Sequence, residues 1–133
     1  MIEPLITFDT AVLAKEKGFT EDVEWFYYDH FGEIKILEWP LLFNHNDESE
    51  EHWSAPRQTL LQKWLRDTHK IHPYIEPRGD KVHWMIGSIR RNQTEILRYA
   101  QWDKPNERYN PLCVTYEEAL EFALKKMLQS ISL

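Results

Sequence analysis

The chain has 133 residues, 42% of them apolar and 14% aromatic, which fits a single domain (1–133) and excludes global disorder. One cysteine, Cys113, excludes an intrachain disulfide and with it the small secreted scaffolds, and no run approaches the roughly 18 apolar residues of a membrane span. The net charge is −6, and the N-terminus has no basic region, so a cytoplasmic protein without a membrane partner is expected.

The charge is unevenly spread. Residues 56–91 carry eight Lys/Arg and three acids, whereas the rest carries eight basic and nineteen acidic residues. Such asymmetry marks either a site for an anionic partner or two regions that face each other or solvent, and the second is the plainer reading.

In chain order, a helix is expected from about Phe8 to Lys17, capped by Thr7 and stopped by Gly18, with Phe19 folding back on the last turn. It is only weakly amphipathic and is expected at an edge. Val23–Tyr28 and Glu33–Trp39 read as strands of a hairpin turned at Asp29-His30-Phe31-Gly32, and Pro40 is expected to end the second. Asn44–Ser54 is acidic and aperiodic and reads as a surface loop.

A central helix is expected from Arg57 to Lys70, with Pro56 at its first position. Leu60, Leu61, Trp64, Leu65 and Thr68 form its buried face; Lys63, Arg66 and Lys70 lie outward. Ile71–Glu76 reads as an edge strand because of Pro73, and a turn at Pro77-Arg78-Gly79-Asp80 leads into a strand over Lys81–Arg90, with a bulge or bend at Gly87. Glu95–Ala100 reads as a further strand. The last helix opens on a capping box, Thr115 to Glu118, and carries an apolar stripe of Tyr116, Ala119, Leu120, Ala123, Leu124, Met127, Leu128 and Ile131. The fold class is therefore α+β: an antiparallel sheet of about four to five strands with helices mainly on one face, in the order α-β-β-α-β-β-β-α.

Three strings carry a resemblance: Phe8–Phe19, Ala55–Arg66 and Tyr116–Glu121. In this order they resemble small uncharacterised proteins found in prophages and other mobile elements of bacteria. The resemblance implies that setting and supplies no activity, cofactor or catalytic residue.

No residue pattern nominates an enzyme. There is no GxSxG, no HExxH and no glycine-rich phosphate loop, and with four glycines a nucleotide cradle is hard to build. No cofactor is expected. Cys113 precedes the last helix, where a thiol pKa can fall, but no base is placed for it; it reads as a buried structural residue. His45 and His52, with the acids between them, have the donor chemistry of a metal site but not the spacing, and His69 and His72 read as capping or packing groups. The dipole at the end of the central helix favours a protonated His69. No metal site is assigned.

Two binding readings follow. The first is a non-enzymatic accessory protein that contacts another protein or itself through aromatics at strand ends and loops, with Trp53 and Trp102 as candidates beside Trp39. The alternative is a nucleic-acid-associated protein that uses Lys63, Arg66, Lys70, Arg78 and Lys81 of the basic helix-hairpin segment 56–91. The net negative charge, and the hairpin where a winged-helix domain carries two helices, weigh against it.

Overall fold

The computed structural model describes residues 3–77, 84–90, 96–98 and 115–131, with backbone alone for 72–77, 84–90 and 96–98. The fold is α+β, with three helices and antiparallel strands among the described residues. The strands form two three-stranded sheets, not one sheet of four to five. The chain divides into two units, Met1–Leu61 with Leu128–Leu133, and Gln62–Met127.

In the first unit, α1 spans Phe8–Glu16 and buries only small residues, Thr10, Ala11 and Ala14. This is why its sequence shows little amphipathicity. Gly18, at φ 91, ends it. The Gly18 N–H donates to the Lys15 carbonyl at 3.2 Å and the Phe19 N–H to that of Ala14 at 2.9 Å, which satisfies the last-turn carbonyls as a Schellman motif does. Phe19 is buried, as its place in that motif requires. Thr7 occupies the N-cap position but makes no capping bond; its hydroxyl lies 3.2 Å from that of Thr10.

Strand β1 (Val23–His30) is central, with β2 (Glu33–Phe43) on one side and β3 (His52–Ser54) on the other. The β1–β2 turn is two residues long, Phe31 at φ 53 and Gly32 at φ 87, the left-handed pair whose twist suits a hairpin. The Asp29 carboxylate accepts from the Gly32 N–H at 2.8 Å and fixes this tip.

Pro40 does not end β2, which runs on to Phe43. Two features explain this. β2 is an edge strand, where a missing N–H breaks no ladder bond. The register also shifts there: Trp25 faces Glu38 but Val23 faces Phe43, so Pro40 sits in the extra length of the β2 side.

The segment expected to be a loop is more structured than its composition implies. It holds a 3-10 turn, His45–Asp47, and then β3, one strand more than expected before the central helix. Three residues are too short to carry a strand signal. β3 is specified instead by pairing with β1, Tyr27 opposite Trp53.

Helix α2 spans Gln58–His69. Pro56 lies outside it and Arg57 occupies the cap, its carbonyl accepting from the Leu60 and Leu61 N–H groups at 3.1 and 3.3 Å. The Glu3 carboxylate accepts from the Thr59 N–H at 2.6 Å, so the positive helix end is met from a distant part of the chain. Leu61, Trp64 and Leu65 are buried as expected, and Leu60 is half-buried. Thr68 is exposed: it falls in the last turn, just before Lys70 adopts φ 59 and redirects the chain.

In the second unit, β4 (Ile71–Pro77), β5 (Trp84–Arg90) and β6 (Ile96–Arg98) form the other sheet, with β4 at an edge as Pro73 required. Gly87 marks no bulge. The register runs evenly from Ile71–Arg90 to Pro77–Trp84, and Gly87 pairs with Tyr74 on one side and Arg98 on the other. Helix α3 spans Tyr116–Gln129, and the Glu118 N–H donates to Thr115 Oγ1 at 3.1 Å, one half of the expected capping box. Its stripe is buried from Ala119 to Ile131, but Tyr116 in the first turn is exposed.

Candidate protein-binding edge

All eleven residues of β2 are exposed, on both faces of the strand. Ile34, Ile36, Leu37, Trp39, Leu41, Leu42 and Phe43 all stand in water, Leu41 at 71% and Leu42 at 63% exposure. Phe31 at the hairpin tip is 96% exposed. Single exposed apolar residues are ordinary, but a contiguous set on one edge strand is not. Phe31 adds a second cost: a left-handed φ is disfavoured by about 1–2 kcal/mol for a residue with a Cβ, and asparagine or glycine would serve the turn better.

The backbone of this edge also has no partner strand among the described residues. The Asp29 N–H donates to the Glu51 carbonyl at 3.2 Å, and the Ala55 N–H to the Trp25 carbonyl at 2.9 Å, so odd-numbered β1 residues point toward β3. Even-numbered β1 residues therefore point toward β2, where Glu33, Lys35 and Leu37 face them. Ile34, Ile36 and Glu38 are left with N–H and C=O directed outward.

Behind the edge lies a network of stacked and hydrogen-bonded side chains. His45 is fully buried and stacks on Phe26, ring centroids 4.3 Å apart. Its Nε2 lies 3.2 Å from the Val23 carbonyl, and its Nδ1 3.2 Å from Glu48 Oε2. His52 Nδ1 meets the same oxygen at 2.8 Å. Burial raises the Glu48 pKa, but hydrogen bonds from His52 and then His45 outweigh it and hold the carboxyl below its ordinary value. Asn46 ties three segments together: its Nδ2 donates to the Phe19 carbonyl, and its Oδ1 accepts from the Ser54 N–H, both at 2.8 Å. Neither role is legible in the sequence, because one imidazole and one amide in an acidic run make no pattern.

Trp53 is half-buried against Phe8 (5.0 Å, edge-to-face), with Lys15 Nζ 5.6 Å over its ring. Lys15 also donates to the Ser49 and His52 carbonyls, at 2.5 and 2.7 Å, and burial lowers its pKa despite the nearby Glu50. Trp53 thus locks α1 to β3. In α2, Lys63 is exposed, Arg66 lies 3.7 Å from Asp67, and Lys70 Nζ donates to the Asp67 carbonyl at 2.9 Å. Arg78, Lys81 and Trp102 lie outside the described residues, as does Cys113. His69 stacks edge-on to Trp64 at 4.8 Å, and burial pushes its pKa down, which opposes the protonated form favoured by the helix end.

A cavity of about 250 Å³ opens beside the C-terminal end of β2, lined among others by Val23, Trp25, Leu42, Leu60, Glu3 and Arg57. Two of its polar members are engaged: Arg57 donates to the Glu3 carbonyl, and Glu3 caps α2. Among the described residues, no three His, Cys, Asp or Glu side chains come together as metal ligands, and no helix is long and apolar enough to cross a membrane.

No protein-family model matches the chain. No curated protein aligns with it significantly, and no solved structure matches it.

Proposed function

We propose that the protein is a non-enzymatic accessory factor that works by binding another protein along β2 and the hairpin tip. The observation that carries this reading is an eleven-residue edge strand, exposed throughout and rich in large apolar side chains. A folded domain that leaves such a strand uncovered carries an aggregation risk, which natural proteins normally suppress. The mobile-element setting rests on the resemblance of Phe8–Phe19, Ala55–Arg66 and Tyr116–Glu121.

The test is site-specific photocrosslinking. A benzophenone amino acid replaces Ile36 in one variant and the exposed Thr68 in another, each expressed in the cell that makes the protein. A defined protein adduct is expected from position 36, absent at position 68 and lost on adding Ile34→Lys and Leu41→Lys. Equal labelling at both positions would discard the proposal. So would a hydrolase or transferase activity that depends on one residue cluster.

A further inference from the structure

The β2 edge has a chemistry that restricts what pairs with it. The outward N–H and C=O groups belong to Ile34, Ile36 and Glu38, and these residues share one sheet face, since they stand opposite Asp29, Tyr27 and Trp25. The usable window is short. The hairpin turn closes it on one side, and Pro40 with the register shift closes it on the other.

The stretch of chain that carries this window is acidic. Met1–Leu61 carries thirteen Asp/Glu and four Lys/Arg. Three of those four cations are turned onto backbone carbonyls: Lys15 to Ser49 and His52, Lys17 to Ile131 and Arg57 to Glu3. Only Lys35 lies on β2 itself, against Glu33 and Glu38 at the two ends of the window. Glu24 and Glu51 are also exposed, and Asp29 pairs with Ile34 across the ladder.

Resting on the reading of β2 as a protein-binding edge, we infer that its partner is an extended, cationic segment that adds a fourth strand over Ile34–Glu38. Main-chain bonds to the three outward residues supply the docking. Apolar side chains opposite Ile34 and Ile36, and a lysine or arginine opposite Glu38, supply the choice of partner. Charge complementarity speeds the encounter and disfavours acidic strands.

The test uses two labelled octapeptides, one with valine, valine and lysine at its second, fourth and sixth positions, threonine at the third, fifth and seventh and lysine at each end, the other with glutamate for every lysine, titrated against the full chain by fluorescence anisotropy. The lysine peptide is expected to bind at least ten-fold more tightly and to weaken as salt rises from 50 to 300 mM. Amide exchange should slow at Ile34, Ile36 and Glu38 and stay unchanged at Lys35 and Leu37, which already face β1. Ile36→Pro removes an outward donor without breaking the β1 ladder; it should abolish peptide binding while leaving the unfolding midpoint in place. Glu38→Lys should lower affinity for the lysine peptide several-fold and raise it for the glutamate peptide.

Equal binding of the two peptides, with the same amides protected, overturns the cationic partner and leaves the crosslinking result standing. Protection of those amides by a second copy of the chain, with neither peptide competing, overturns it in favour of self-pairing. A missing crosslink at position 36 removes the underlying reading itself.

Discussion

Glu48 holds two imidazoles on one carboxylate oxygen, and His69 sits against Trp64 in a partly dry setting; both pKa values are lowered. The sign of each effect on stability follows. A group with a lowered pKa contributes fully above its unfolded value, and the contribution is lost as pH falls through the folded value. For His69 the loss begins below about 6.5, and for Glu48 below about 4.5. Urea midpoints measured from pH 8 to 3 should therefore fall in two stages. His69→Leu should flatten the upper stage and Glu48→Gln the lower. At this scale the sequence was least informative. His45 reads as one more polar residue in an acidic stretch, yet it is fully buried and stacked on Phe26, because Val23 and Glu48 offer its nitrogens partners that no local pattern reveals.

Element ends were legible because caps are local chemistry. Gly18 and Thr115 each act on neighbours within five residues, so their roles could be read directly. What competes with local signals is tertiary pairing. β3 forms because β1 offers a free edge, and β2 passes Pro40 because that side of the strand is unpaired. The left-handed positions give a paired prediction. Gly18 (φ 91) has open space around a would-be Cβ, so Gly18→Ala costs conformational energy alone, about 1–2 kcal/mol. Lys70 (φ 59) already carries that cost, so Lys70→Gly should stabilise the protein by about 1 kcal/mol. Chemical denaturation of the two variants under one set of conditions checks both signs.

For the whole molecule, the residues that hold the fold and those exposed along the proposed binding edge are separate sets. Leu61, Leu65, Leu124 and Leu128 are fully buried, and truncating any one to alanine should cost about 2–5 kcal/mol. Ile34, Leu41 and Leu42 are exposed, so replacing all three with lysine should change the unfolding free energy by less than about 1 kcal/mol while raising solubility. A large loss of stability in that triple variant would mean that β2 is part of the core. The α+β class followed from the succession of strand and helix patterns. The division into two sheets did not, because a succession of hairpins carries no local signal of where one sheet ends and the next begins.

Pro40 has a consequence for growth. Fibrils extend when every backbone group along a strand finds a mate in the next layer. β2 offers three outward residues, then an imide with no hydrogen to give and a broken register. A strand added there finds a finite berth, so an edge that takes up a guest as proposed is still too interrupted to seed a filament.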